Sequence, residues 1–247
     1  MVNHNSRPLL LGHRGVCRPR HFGLPSPAST IPAENTIEAF DYAVANGCDG
    51  FEFDVRLTGD RRSVLCHDPM FEGKELAAMR YSEIARHLAC LEEVLARFSG
   101  NAYLDIEVKV SGNEEEIVKL LVANPPMRGF VVSSFLPEVL RRLHELDPLL
   151  PLGYVCKHAE LAGQWSELPI SVFIPQYKLV SQSIVDEAHA AGVKLFTWTV
   201  NHRRDLVRLA NWGVDGLISD DPKLLRQTFG TGTKVSETAL RPPSAII

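Results

Sequence analysis

Four short segments of this chain carry side chains able to hold a hard cation, move protons and grip a phosphate: His13-Arg14-Gly15, Glu52-Phe53-Asp54, His67-Asp68 and Glu107-Val108-Lys109. Each lies at or near the end of an apolar run that reads as a β-strand. Residues two apart on a strand share a face, so Glu52 and Asp54 point the same way, as do Asp105, Glu107 and Lys109. Carboxylates gathered in a partly dry site oppose one another's ionisation. One divalent cation removes that cost, and an all-oxygen set from Glu52, Asp54 and Glu107 suits Mg2+ or Ca2+, with substrate and water oxygens completing the shell. The competing reading is that these carboxylates pair with Arg56, Lys109 or other basic barrel residues. His13 and His67 titrate in the neutral range and can divide the work of accepting and donating a proton. Asp68 can orient or charge-stabilise His67 if the strand ends there, because adjacent strand residues face opposite ways. Arg14 offers a planar fork for phosphate oxygens, Lys109 a point charge, and Gly15 a backbone able to turn close to a ligand. Gathered in one mouth, three carboxylates, two histidines and two cations are what cleavage of a phosphodiester requires.

These segments must be brought together by alternating strands and amphipathic helices. Strands are expected near 9–15, 50–57, 63–67, 102–109, 129–135, 151–155, 172–177, 194–200 and 216–219. Helical patterns run from about Thr36 to Asn46, where Gly47 closes the helix, and through Tyr81 to Phe98. Further helices begin near Asn113, Pro137, His158, Ser181, Asn201 and Asp221. The strand count is eight or nine, depending on whether 63–67 joins the barrel or is an extra hairpin strand after the Thr58-Gly59-Asp60 turn. Eight parallel strands with intervening helices make an α/β fold, the (β/α)8 TIM barrel, whose inward faces converge at the C-terminal strand ends. An open doubly wound sheet is the runner-up, but Gly12, Gly15 and Gly23 lack the G-x-G-x-x-G spacing. A single barrel domain is placed at residues 1–230, followed by a flexible or loosely docked tail at 231–247, rich in Thr, Ser, Gly and Pro. The loop between Val16 and Ala33 follows His13 directly and reads either as a substrate-facing lid or as a mobile insertion.

With 247 residues, 45% of them hydrophobic, the chain can bury a large core. A formal net charge of -4 argues against a nucleic-acid partner gripped across the whole surface, so phosphate recognition must be local. No apolar run approaches the roughly 18 to 20 residues of a membrane span, and only Leu9-Leu10-Leu11 precedes the first histidine motif. A soluble, cytoplasmic protein without a signal peptide or stable membrane insertion is expected. The five cysteines, Cys17, Cys48, Cys66, Cys90 and Cys156, are scattered and suggest neither a zinc site nor a disulfide framework; most read as small core residues. The other histidines read as ordinary surface residues.

Taken in order, the motifs above form a longer pattern. His13-Arg14-Gly15, Glu34-Asn35-Thr36, Gly47-Cys48-Asp49-Gly50-Phe51-Glu52-Phe53-Asp54, His67-Asp68 and Glu107-Val108-Lys109 resemble the glycerophosphodiester phosphodiesterase family. Leu91-Glu92-Glu93-Val94-Leu95, Ser134-Phe135, Trp198-Thr199-Val200-Asn201 and the run from Gly213 to Pro222 extend the likeness over roughly residues 9 to 226. The resemblance implies a TIM-barrel hydrolase of lipid and glycerol metabolism that cleaves glycerophosphodiesters to sn-glycerol 3-phosphate and an alcohol. It implies metal ligation by Glu52, Asp54 and Glu107, acid/base work by His13 and His67, and phosphate binding by Arg14 and Lys109. Trp198 would line the site near the glycerol, or else be a core or rim aromatic. Glu34 and Asn35 would support the metal ligands, although a helix-capping role explains Asn35 equally well. A plausible route uses the glycerol 2-hydroxyl as internal nucleophile. Two departures bear on specificity: the insertion after His67 is reduced, with Pro69 to Leu88 running quickly into helix, and the loop between His13 and Glu34 is longer than the family norm. A lysophospholipase D-like enzyme on the same barrel, or a non-catalytic phosphate-binding module, are the alternatives. The alcohol moiety and the oligomeric state are not encoded legibly.

Overall fold

The computed structural model describes residues 7–17 and 31–230. Most of the loop after Val16, residues 18–30, and the tail at 231–247 lie outside the described residues. Eight parallel strands follow chain order around a ring: Leu9–Gly12 (β1), Gly50–Leu57 (β2), Tyr103–Val108 (β3), Phe130–Ser134 (β4), Leu152–Cys156 (β5), Val172–Pro175 (β6), Lys194–Thr197 (β7) and Gly216–Ser219 (β8). β1 pairs with β8 from Leu9↔Gly216 to Gly12↔Ser219 and with β2 through Leu11↔Gly50 and Gly12↔Phe51, which closes the ring. The fold is the (β/α)8 barrel, and the open sheet is excluded.

A helix follows each strand: Ile37–Ala45 (α1), Leu91–Phe98 (α2), Glu114–Ala123 (α3), Pro137–Leu146 (α4), Ala159–Ala162 (α5), Gln182–Ala190 (α6), Arg203–Asn211 (α7) and Pro222–Phe229 (α8). Side-chain caps fix several starts. Thr36 accepts from the Ala39 N–H, Ser181 from Ile184, and Asp221 from Lys223 and Leu224, with Pro222 opening α8.

One open count is settled and two expectations need correction. The segment at 63–67 is a short strand, Ser63–Leu65, antiparallel to Val55–Leu57 of β2 and outside the ring. Val55 pairs with Val108 on its other edge, so this strand takes the stretch of β2 that β1 leaves uncovered. The helix expected through Tyr81 to Phe98 is broken into a single turn, Tyr81–Ile84, and α2. Between them the chain returns to the sheet, where the Leu65 N–H donates to Ala89 O at 2.9 Å and Val64 bridges Cys90. Helical spacing of apolar residues carries no trace of such a long-range pairing. The stretch after His67 does not run straight into helix either. A hairpin, Met70–Phe71 with Lys74–Glu75, comes first and packs as a unit with its own core of Val64, Leu76, Met79 and Ile84.

Strand alternation sorts the interior. Leu11, Val131, Val155, Val172, Ile174, Phe196 and Ile218 pack together inside the ring, with Tyr103, Phe135 and Trp198 against them. There is no room for a β-carbon at Gly216, because one placed there would meet the Phe196 ring at 2.6 Å. On β2 and β3 the buried set includes Glu52, Asp54, Asp105 and Glu107. One quadrant of the interior is therefore acidic and the remainder apolar. Outside the ring, Phe40 of α1 stacks on Phe51 at 4.1 Å between ring centroids, and Phe98 of α2 meets Phe51 edge-on at 5.0 Å. Each such phenylalanine contributes about 1.5 to 3 kcal/mol by burial, so the two helices beside β2 hold the acidic quadrant rigidly in place.

Candidate active site at the ends of β1 to β3

Glu52, Asp54 and Glu107 each present an oxygen, all within 4.8 Å of one another. Glu52 Oε2 accepts the Arg14 backbone N–H at 2.9 Å, while its Oε1 is buried with no hydrogen-bond partner. Asp54 Oδ2 accepts from Asn35 Nδ2 at 2.8 Å, and its Oδ1 lies 3.1 Å from Lys109 Nζ. Glu107 Oε1 accepts from Lys109 Nζ at 2.5 Å. Burial, then the charges of Asp54 and Glu107, push Glu52 well above the usual carboxylate range. Burial also raises Glu107, against the pull of Lys109. For Asp54 burial is again the largest influence, but Lys109, Arg14 and the Asn35 hydrogen bond outweigh it, and its pKa falls. A buried carboxylate oxygen left without a partner, in a cluster with two further carboxylates, can accept further positive charge. The donor set is all oxygen and fits Mg2+ or Ca2+.

The competing ion-pair reading holds in part: Lys109 and Arg14 do pair with these carboxylates, yet Glu52 Oε1 stays unpaired. Arg56 takes no share, since its Nε donates to the His67 carbonyl at 2.8 Å. Below the three carboxylates, Asp105 accepts from Ser133 Oγ at 2.6 Å, and burial pushes it up to about 7 despite that bond.

Both histidines stand past a strand end. His13 follows β1, and its backbone N–H donates to Ser219 O at 2.8 Å. Its Nδ1 lies 2.6 Å from Asp220 Oδ1, and its Nε2 faces Glu52 Oε2 at 3.8 Å. His67 follows the Ser63–Leu65 strand, and its Nδ1 lies 2.7 Å from Asp68 Oδ1. The strand has ended by then, which meets the condition for adjacent residues to touch. Burial lowers the His67 pKa, and the Asp54 charge opposes that shift. In each case a carboxylate beside Nδ1 favours the tautomer with Nδ1 as the donor and leaves the electron pair on Nε2.

Arg14 is the hinge of the site. Its backbone is left-handed at φ 50°, its Nη1 donates to Glu34 Oε1 at 2.5 Å, and its Nε lies 3.1 Å from Asp54 Oδ2. Asn35, also left-handed at φ 57°, donates its N–H to Arg14 O at 3.0 Å and accepts the Asp54 N–H at 3.1 Å through Oδ1. Asn35 therefore holds Asp54, and Thr36 is the helix cap. Glu34 sits at the exposed edge beside Arg14. Gly15 is constrained from behind. At φ 79° it lies against α1, where an added β-carbon would meet the Ala39 backbone at 2.6 Å. Trp198 Nε1 donates to Ile174 O at 3.1 Å, and its ring meets Phe135 edge-on; Lys109 Nζ lies 5.4 Å from the Phe135 ring centroid. It is a rim aromatic joined to the charged cluster through Phe135.

Residues 13–224 match the glycerophosphoryl diester phosphodiesterase family. The chain belongs to this family. It is 30% identical over 246 residues to a glycerophosphodiester phosphodiesterase of Caldanaerobacter subterraneus subsp. tengcongensis, covering 89% of this chain and 96% of that protein. Among solved structures it resembles a glycerophosphodiester phosphodiesterase of Thermotoga maritima, with a TM-score of 0.74 at 21% identity over 91% of this chain and 99% of that one. A phosphodiesterase of Oleispira antarctica, solved with the product sn-glycerol-3-phosphate, gives a TM-score of 0.74 at 22% identity over 90% and 96% of the two chains. At those identities the structural likeness speaks for the fold. Membership gives the enzyme class, a glycerophosphodiester phosphodiesterase. Among the described residues, no helix is long and apolar enough to cross a membrane.

For a phosphodiesterase of this family, motif reading passes over Asp220. It lies at the far end of the chain from His13 and is itself anchored, since Asn201 Nδ2 donates to its Oδ2 at 2.5 Å and Asn201 Oδ1 accepts its N–H at 3.0 Å. Burial resists its charge, but the His13 hydrogen bond and ring hold its carboxyl below the usual value. The available signal was positional: in a closed barrel, the residue after β8 must sit beside the residue after β1. The cysteines are all free, with Cys48, Cys90 and Cys156 buried as small core residues and Cys17 and Cys66 only half-buried.

Proposed function

We propose that this chain hydrolyses glycerophosphodiesters to sn-glycerol 3-phosphate and an alcohol, with His13 and His67 as the proton-transfer pair. Glu52, Asp54 and Glu107 would hold one divalent cation, Mg2+ or Ca2+, and the barrel of residues 1–230 would be the catalytic domain. The observation that carries this reading is the matched tethering of two imidazoles, each with Nδ1 on an aspartate, beside the three-carboxylate cluster. The five free cysteines are in keeping with a reducing, cytoplasmic setting.

When bound, the cation would supply positive charge that polarises a phosphoryl oxygen and offsets the charge developing at phosphorus. The residues do the rest. The Arg14 fork and the Lys109 ammonium hold the phosphate oxygens, while Asn35 keeps Asp54 in place. One histidine, donating through Nδ1–H to its aspartate, accepts the proton of the glycerol 2-hydroxyl at Nε2 as that oxygen bonds to phosphorus. The other, protonated at Nε2, gives its proton to the departing alcohol oxygen as the P–O bond breaks. Water then opens the cyclic phosphate with the two roles exchanged, which returns each imidazole to its starting state.

The test is release of glycerol 3-phosphate from glycerophosphocholine and glycerophosphoethanolamine with added Mg2+ or Ca2+, with EDTA, and with His13→Ala. The expected result is turnover that needs the cation and is lost in the variant. Turnover that survives EDTA and His13→Ala together would sink this reading. A diester analogue lacking the 2-hydroxyl should be turned over poorly; undiminished turnover would replace the internal nucleophile by direct attack of water.

A further inference from the structure

Cys17 lies four residues past His13 and touches the segments that follow β1 and β8. Its Sγ is 3.6 Å from His13 Nδ1 and donates to the His13 carbonyl at 3.3 Å, and its backbone N–H donates to Asp220 O at 3.1 Å. His13, Cys17 and Asp220 each present a ligand atom, all within 4.8 Å of one another. This nitrogen, sulfur and oxygen set is chemically unlike the all-oxygen cluster on the other side of His13. Mixed thiolate and imidazole donors select borderline-soft ions, zinc above all, and disfavour magnesium and calcium.

We propose that His13 Nδ1, Cys17 Sγ and Asp220 Oδ1 form a second metal site, specific for Zn2+ or a similarly thiophilic ion, whose occupation switches the enzyme off. The switching half rests on the proton-transfer role proposed for His13; the site itself does not. Tetrahedral zinc, with bonds of about 2.3 Å to sulfur and about 2.0 Å to nitrogen and oxygen, sets its S···N edge at about 3.6 Å and its N···O edge at about 3.3 Å. The sulfur and nitrogen already stand at that separation, 3.6 Å, the 2.6 Å contact between His13 and Asp220 would widen by about 0.7 Å, and all three ligand atoms lie within 4.8 Å of one another. Asn201 grips the other oxygen of Asp220 and orients Oδ1, the outer support that metal-bound carboxylates commonly have. A water would complete the four-coordinate shell.

The proton balance explains the switch. Zinc replaces the thiol proton, which leaves to solvent, and takes the Nδ1 electron pair. The Nδ1 proton passes through solvent to Nε2, so the ring stays neutral and one proton is released for each zinc bound. The Nε2 nitrogen then carries a hydrogen and has no lone pair with which to accept a proton. The charges of the ion, the thiolate and the carboxylate cancel, so no net charge is buried. A zinc site was not expected from the sequence because no two cysteines form a C-x-x-C pair and Asp220 lies 207 residues from His13 in the chain.

Cobalt is the spectroscopic probe, since a thiolate bound to Co2+ gives charge-transfer absorption in the near ultraviolet. Titrating the full chain, stripped of metal, with Co2+ should produce that band with one equivalent, and Zn2+ should displace it. The band should persist in Cys66→Ser, the other half-buried cysteine, and vanish in Cys17→Ser and Cys17→Ala, with thermal unfolding confirming that both variants fold. In parallel, zinc inhibition of glycerophosphocholine turnover is measured at saturating Mg2+, each protein against its own zinc-free rate. The Cys17 variants should need at least about tenfold more zinc for half-inhibition. No band in the wild type, or a band that survives both Cys17 variants, overturns the site; equal zinc sensitivity overturns the switch. A Cys17-dependent band in a protein that turns over no glycerophosphodiester with Mg2+ or Ca2+ upholds the site and discards the phosphodiesterase reading instead.

Discussion

Asp220 and Asp68 do the same work for His13 and His67 under different conditions: the Asp220 side chain is 31% exposed and that of Asp68 73%. Water competes for the second hydrogen bond far more than for the first. Asp220→Asn, which favours the wrong imidazole tautomer, should lower kcat by about 10² to 10⁴-fold with little change in KM, while Asp68→Asn should cost about tenfold or less. Steady-state kinetics on glycerophosphocholine reads both, and equal losses would show that exposure does not set the difference. Asp220 also has a pH signature. Its folded pKa lies below the ordinary 3.8, so the unfolded chain takes up this proton first as pH falls. Its contribution to stability is complete above that value and disappears as pH drops through the lower folded one. The gap in urea midpoint between wild type and Asp220→Asn should accordingly be full at neutral pH and close in that acid window; a gap that widens there would reverse the sign. At this scale the sequence was legible where period-two spacing operates, at Glu52 with Asp54 and at Glu107 with Lys109. It was silent on Asp220, whose partner lies 207 residues away.

At the scale of elements, the turn from β1 into α1 decides how well the site is held. Gly15 lets the chain pass against the Ala39 backbone, and the same turn delivers Arg14 to Glu52 and Asn35 to Asp54. Gly15→Ala combines a strained left-handed backbone with a clash against α1 and should destabilise the protein by about 2 to 5 kcal/mol. Urea unfolding measures this, and a loss below about 0.5 kcal/mol would show that α1 yields freely. The strand order and most helix starts could be read from local pattern, because capping residues such as Ser181 and Asp221 act within three residues of where they stand. The break before α2 could not, because it is made by Ala89 and Cys90 pairing with Val64 and Leu65, more than 20 residues earlier in the chain. For the same reason the packing constraint on Gly15 was not legible locally, because it comes from a helix packed behind it.

For the molecule as a whole, the acidic quadrant is a local concentration of negative charge beside an apolar interior, and the cation site proposed there predicts that stability responds to cations. Saturation at about 100 times Kd adds about 2.7 kcal/mol, which for a chain of this size raises Tm by about 5 to 10 °C. Differential scanning fluorimetry with Mg2+, Ca2+ and EDTA should show this rise in the wild type and its loss in Glu52→Gln. Without cation, Glu52→Gln should melt at or above the wild type, because it removes a buried carboxylate with an unpartnered oxygen. A cation response retained in Glu52→Gln would remove Glu52 from the ligand set.

The ring closes where β1, near the start of the chain, meets β8 near its end, and His13 and Asp220 face each other across that seam. During synthesis, both histidines and the Glu52, Asp54 and Glu107 cluster have emerged by Lys109, yet the carboxylate that aims His13 follows the final strand. A growing chain thus carries both histidines and the carboxylate cluster long before the ring that aims them is closed, and His13 gains its aspartate only when β8 docks beside β1.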